Sequence, residues 1–382
     1  MISIVRTPAA YARRRWLAFV VAALGAWLQW GCQNLIGIED RLYDPMAASA
    51  GNGGTGGRAD SEQCERYCDA VMRNCKGDHQ MFGSIEGCLG VCALLDPGDA
   101  LEPAGNTVAC RASEAELAGV TQEPEVHCPR AGPGGSQACG GDCASYCLLL
   151  ERACSTSFSD CERKCSAFAA PGTYSSSQLE GDTLWCRLTH VSAAASAPEL
   201  HCDHAGVLPT DYCLDAATEA PDCADYCRIV TTACSGELAV YESDEQCLRG
   251  CEALNAGTLG DRADNTVGCR KYHAYAALLG PEDHCPHASP SGDGVCGTES
   301  GVCEAYCRLA ADACAEEFGE SFGGGESECL TACAALPPAA AGYSVASAES
   351  GDSAECRTLH ALRAYDDASA CAAAFGASPC AE

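Results

Sequence analysis

Basic residues are scarce in this sequence: 23 lysines and arginines stand against 53 aspartates and glutamates in 382 residues, a formal net charge of −30. Long-range repulsion at that charge argues against a surface built to grip nucleic acid or anionic lipid headgroups, and an acidic exterior of this kind serves solubility. Tryptophan is scarcer still. Trp16, Trp27 and Trp30 lie near the N-terminus, which leaves Trp185 alone in the rest of the chain. With so few aromatics and so much alanine, a small unit buries a thin core and must lean on covalent staples. No segment alternates convincingly as a strand, which points to an all-α fold. Zinc-protease H-E-x-x-H, EF-hand and P-loop patterns are all missing. There is no C-x-x-C-H, which excludes covalently attached c-type haem.

What the chain has in excess is cysteine, 33 in all, a density suited to an oxidising compartment. From Cys223 to Cys296 the spacing reads C-x3-C-x6-C-x12-C-x3-C-x17-C-x15-C-x10-C. Similar eight-cysteine units start at Cys64, Cys143 and Cys303, so one unit is present four times with a period of 79 or 80 residues. The expected units are residues 61–140, 141–221, 222–301 and 302–382. They account for every cysteine except Cys32.

Cys32 closes a different pattern. Arg6, Arg13, Arg14 and Arg15 precede an uncharged apolar run, Trp16 to Trp30, that suits a signal h-region and is short for the ~20 residues of a spanning helix. Leu28-Gln29-Trp30-Gly31-Cys32 resembles the lipobox of bacterial lipoproteins, with Gln29 where that family usually has leucine. The resemblance implies a signal peptide over 1–31 and acylation of Cys32 as the new N-terminus. Loss of the four arginines would bring the net charge to −34. Residues 32–60, rich in Gly, Ala and Ser toward their end, read as a flexible tether. Gly51-Asn52-Gly53-Gly54-Thr55-Gly56 satisfies G-x-G-x-x-G without the strand and helix that a dinucleotide site needs, and is read as linker.

Within each unit the first three cysteines sit at i, i+4 and i+11, one stripe along a first helix. A tyrosine precedes the second cysteine in every copy (Tyr67, Tyr146, Tyr226, Tyr306) and is expected to pack beside a disulfide. The fourth and fifth cysteines sit at i, i+4 on a second helix, with Ser84 and Ser243-Asp244-Glu245-Gln246 as entry signals. A third helix opens at Asn106-Thr107, Asp182-Thr183, Asn265-Thr266 and Asp352-Ser353, and Pro281 ends it in the third copy. About three helices and four disulfides per unit follow. Eight cysteines allow 105 pairings. The six-residue link between the first two helices of the second copy suggests an antiparallel hairpin with the third cysteine facing the fourth and the second facing the fifth. The first would then pair with the sixth, and the seventh with the eighth.

Histidine forms the one cluster with chemical promise. His190, His201 and His204 in the second copy, and His273, His284 and His287 in the third, pair one imidazole on the third helix with two around the seventh cysteine. Three such rings could converge on copper, zinc or haem iron. The first copy has Glu114 and Arg130 at two of these positions and keeps His127, and the fourth keeps only His360. The alternative is that the histidines hydrogen-bond a helix end beside a disulfide. An arginine follows the sixth cysteine in each copy (Arg111, Arg187, Arg270, Arg357), expected to pair with a nearby carboxylate. Gly319-Glu320-Ser321-Phe322-Gly323 matches the G-x-S-x-G elbow but follows no strand, so no serine hydrolase is expected.

Taken with C-x2-Y-C and C-R-x2-H, the pattern resembles cysteine-rich tandem-repeat lipoproteins of Gram-negative bacteria. The resemblance implies a lipid-anchored envelope location, in the outer membrane and facing the periplasm or the surface, and supplies no activity. The expected function is a non-enzymatic structural and binding array, attached to the membrane by its anchor and meeting an envelope protein, a glycan or the cell wall. No cofactor is expected on that reading. The alternative is a periplasmic metal or haem carrier using the two histidine clusters.

Overall fold

The computed structural model describes residues 58–381 apart from 102, 210, 298–300 and 338–341. The signal-like run, Cys32 and the Gly51 to Gly56 stretch lie outside the described residues. Among the described residues there is no strand, only two isolated bridges, Asp96 with Thr107 and Ala169 with Thr183. No described helix is long and apolar enough to cross a membrane.

The first copy contains α1 (Ser61–Asn74), α2 (Ile85–Leu94), α3 (Val108–Thr121) and α4 (Pro124–Ala131). The second contains α5 (Asp142–Cys154), α6 (Cys161–Cys165), α7 (Leu184–Ala194) and α8 (Pro198–Ala205). In the third these become α9 (Cys223–Ala233), α10 (Asp244–Ala253), α11 (Val267–Ala277) and α12 (Pro281–Ala288). The fourth has α13 (Gly301–Ala313), an inserted α14 (Ala315–Phe322), α15 (Glu326–Cys333), α16 (Ala354–Arg363) and α17 (Cys371–Ala374).

Caps set these boundaries as the sequence suggests. Ser84 and Ser243 accept hydrogen bonds from the amides of Gly87 and Gln246, 3.1 Å each, and start α2 and α10. Thr107, Thr183, Thr266 and Ser353 do the same for the amide of the sixth cysteine, so the cap is the second residue of each pair flagged above. A fourth helix was not expected. Pro281 does follow the end of α11, yet it also stands at the first turn of α12, as Pro124 and Pro198 do for α4 and α8. Proline's fixed φ and missing N–H suit that position, so one residue both stops a helix and starts the next.

The disulfide pairing corrects the hairpin expectation. In all four copies the first cysteine pairs with the fifth, the second with the fourth, the third with the seventh and the sixth with the eighth; in copy 1 these are Cys64–Cys92, Cys68–Cys88, Cys75–Cys128 and Cys110–Cys139. Two cysteines four apart on one helix match two four apart on an antiparallel partner, because both steps rise ~6 Å. Even the shortest link opens the turn beyond them: Ser155 (φ 51°) and Asp160 (φ 58°) take left-handed conformations that carry the chain out and back. The third cysteine, ~10 Å beyond the second, is left free of the hairpin and reaches the unforeseen fourth helix. The sixteen disulfides among the described residues mark an exported or extracellular protein.

Two polar side chains per copy complete the frame. Tyr67, Tyr146, Tyr226 and Tyr306, all buried, donate to the carbonyls of Ala131, Ala205, Ala288 and Ala374 at 2.6, 2.8, 2.6 and 2.9 Å, at the end of the fourth helix. The arginines lie beside them. Arg270, with no exposed surface, donates to the carbonyls of Ser289, Pro290 and Thr266 and to Asn265 Oδ1, at 2.8–3.1 Å. Arg111 binds the carbonyls of Gly132, Pro133 and Thr107 in the same way. The expected carboxylate partner exists only for Arg187 (Asp182, 2.9 Å) and Arg357 (Asp352, 2.8 Å). Elsewhere the guanidinium's five-donor fork satisfies backbone carbonyls past the helix end, where the helix dipole favours a cation.

Adjacent copies share burial, which the thin-core expectation did not anticipate. A single cluster of buried residues runs from Cys64 through Leu149, Ile229 and Leu309 to Leu362. Between copies 1 and 2, Ser176 N donates to Gln80 O at 2.8 Å, and between copies 3 and 4 Val345 N donates to Ala239 O at 2.7 Å. Copies 2 and 3 join through backbone too, Gly260 N donating to Ala217 O at 2.8 Å, and add charged contacts. Asp182 accepts from Arg187 and from Tyr275 Oη (2.7 Å), Lys271 lies 3.4 Å from it, and Lys164 Nζ donates to Leu278 O at 2.6 Å.

Candidate functional site

The histidines of copies 2 and 3 do come together. Helix α7 carries His190 one turn beyond Cys186, whose bridge to Cys213 fixes that stretch. On α8, His201 and His204 flank Cys202 at a spacing of three, which puts both rings on one side of the helix. The Cys154–Cys202 bridge pins α8 to the end of α5. In copy 3, α11 supplies His273 and α12 supplies His284 and His287, with Cys269–Cys296 and Cys234–Cys285 in the matching places.

In both triads one nitrogen from each ring lies within 4.8 Å of the other two. His190 Nδ1 stands 3.3 Å from His201 Nδ1, and His273 Nδ1 3.2 Å from His284 Nδ1. The far nitrogens of His190 and His273 face the carbonyls of Leu179 (3.1 Å) and Arg262 (3.4 Å). That contact places the proton on Nε2 and turns the Nδ1 lone pair toward the other rings. His204 Nδ1 and His287 Nδ1 are buried and have no hydrogen-bond partner. Burial holds His190, His201 and His287 below the usual imidazole range and pushes His273 down to about 4. In copy 2 the ring of Tyr212 lies against His190 and His204, at 5.2 and 4.6 Å between centroids.

Copy 1 fills the same place with an ion pair. His127 Nδ1 is 2.6 Å from Glu114 Oε2, and Arg130 lies 3.8 Å from that oxygen. In copy 4, Ala370 and Ala373 replace two of the rings, and His360, its pKa lowered by burial, faces Glu349 O at 3.5 Å. Cysteines adjoin His190, His273 and His360, but each is spent in a disulfide and offers no thiolate. Ser321 lies exposed on α14, with no strand leading to it. The carbonyls that orient His190 and His273 could not be found from the sequence, because every residue carries one. Tyr212 gave no signal either, since copy 3 has Val295 at that position.

Among known proteins, a 98-residue stretch is 33% identical to part of an EGF-like domain-containing protein of Acanthamoeba polyphaga mimivirus, covering 25% of this chain and 17% of that protein. No solved structure matches. The model of the BfoA family C-terminal domain matches residues 27–144 and 219–299, just over half of the sequence. Both matched segments carry the eight-cysteine frame described above, and the chain belongs to the BfoA family through that C-terminal domain.

Proposed function

We propose that this protein is a non-enzymatic structural and binding module of the cell envelope, exported and held to a membrane through an acylated Cys32. The observation that carries the reading is where its reactive groups go. Every described cysteine is in a disulfide, Arg111, Arg187 and Arg270 are buried against carbonyls or a carboxylate of the frame, Arg357 pairs with Asp352, and Tyr67, Tyr146, Tyr226 and Tyr306 donate to backbone carbonyls. An open groove of about 620 Å³ where copies 3 and 4 meet is lined by Asn255, Asp264, Thr266, Glu304, Arg308 and Glu326, with neither histidine nor thiol among the lining residues. Side chains that elsewhere serve as nucleophiles or acid–base groups here hold helices together. Bridged copies docked through buried surface keep their spacing and resist proteases, which suits display of a surface to an envelope protein, a glycan or the cell wall.

The test is intact mass and fractionation in a Gram-negative host. The mature chain is expected to begin at an acylated Cys32, and Cys32→Ser to release the protein from membranes. A mature chain that begins elsewhere, or a serine variant that stays membrane-bound, overturns the anchoring.

A further inference from the structure

We propose that His190, His201 and His204, and separately His273, His284 and His287, form two zinc sites, each holding one tetrahedral divalent ion by three imidazoles with a water at the fourth position. The argument begins with a distance. Nitrogens bound 2.0–2.1 Å from a tetrahedral zinc stand about 3.3 Å apart, and the Nδ1–Nδ1 separations are 3.3 and 3.2 Å. An N–H hydrogen bond has its mode near 2.9–3.0 Å. Cis ligands of a square-planar copper(II) at a similar bond length would stand about 2.9 Å apart. The spacing therefore fits the edge of a tetrahedron better than either.

Three further observations agree. His204 Nδ1 and His287 Nδ1 are buried acceptors or donors with nothing to bond, at the same position in both copies. Carbonyl oxygens of Leu179 and Arg262 orient His190 and His273 from behind, as backbone carbonyls commonly do for metal-bound histidine. The duplication is independent support, since both triads keep the same geometry on different sequences. Ring centroids 5.0–6.1 Å apart leave no space for a porphyrin between them, which sets haem aside. The charge of −30 concentrates cations around the chain, and Asp283 and Asp293 lie near His287.

The experiment uses the oxidised full-length chain, stripped with chelator and titrated with zinc chloride by calorimetry, followed by elemental analysis after desalting. Two equivalents are expected. His204→Gln and His287→Gln should each remove one, and the double variant both, with affinity at the altered site falling by more than the ~10–100-fold lost when only a group behind a metal-bound histidine is changed. Far-ultraviolet circular dichroism checks that the variants fold. If they do not, zinc K-edge absorption of the wild-type chain decides the matter: a shell of nitrogen and oxygen with imidazole scattering supports the proposal. Sulfur in that shell, fewer than one equivalent bound, or a stoichiometry unchanged in the double variant overturns it.

Discussion

Copy 1 and copies 2 and 3 place different chemistry on one frame. At the same three positions copy 1 has Glu114, His127 and Arg130, where a carboxylate, an imidazole and a guanidinium neutralise one another within 3.8 Å. Copies 2 and 3 have three imidazoles at these positions. Arg130 serves in copy 1 as the resident cation, so the cluster is complete by itself. Without such a cation the two triads leave a buried nitrogen unpartnered in each. The frame is indifferent to this choice, because the bridges, the tyrosine and the arginine that fix the two helices lie outside the cluster.

If the frame is common to all copies, breaking it should erase the difference between them. Full reduction is expected to have the largest effect. Each bridge closes a loop between 14 and 57 residues apart in sequence, and at about 3 kcal/mol per bridge, four per copy approach or exceed a domain's usual 5–15 kcal/mol net stability. Helical circular dichroism should be lost at 37 °C on reduction while the oxidised chain remains folded, and zinc binding should go with it. Helix that survives would mean the burial shared between copies sustains the fold alone.

A substitution within the frame should act alike whichever cluster it supports. Arg270→Met leaves the carbonyls of Ser289, Pro290 and Thr266 buried without their donor and should cost about 3–4 kcal/mol in chemical denaturation. Arg111→Met in copy 1 should cost a similar amount. A loss confined to copy 3 would show that the frame is not equivalent.

The contact between copies 2 and 3 can be tested by acid. Burial alone would raise the pKa of Asp182, but Arg187, Lys271 and Tyr275 outweigh it and hold the carboxyl below its ordinary value. Stabilisation from its ionisation is therefore complete above pH ~4 and is lost as pH falls through the depressed folded value. Asp182→Asn should cost about 2 kcal/mol at neutral pH and flatten that acid limb in denaturation curves taken across pH. An acid limb unchanged by the substitution would assign it to other carboxylates.

The smallest effect on stability, under about 1 kcal/mol, is expected from Glu114→His combined with Arg130→His. This change should convert the copy 1 cluster into a third triad and raise zinc stoichiometry from two to three by calorimetry. A chain that still binds two would mean that copies 2 and 3 owe their sites to something beyond the three rings.

Much of each unit was legible locally. The caps Ser84, Ser243 and Thr266 and the helices they start follow from spacing, because a helix turns 100° per residue whatever surrounds it, whereas the meeting of His190 with His201 and His204 joins two helices and was only suggested by their order. The fourth helix was missed because Pro281 was read only as a stop. The pairing was missed with it, since Cys285 had no helix to carry it toward Cys234. The arginines' partners were read as carboxylates, and two of them are. The others are backbone carbonyls, which leave no trace in residue identity.

By itself the amino-acid sequence determined the all-helical character, the eightfold cysteine count of each unit, the acidic charge and the placement of imidazoles in copies 2 and 3, since periodicity, capping and composition act over a few residues. Only the tertiary structure decided which cysteine meets which, that Tyr226 and Arg270 close the end of α12, and that Asp182 is shared between copies. Those outcomes depend on how far a loop holds two helices apart and on which backbone groups remain unsatisfied once they dock. Such distances arise from packing between elements 14 to 93 residues apart in sequence, and no local pattern encodes them.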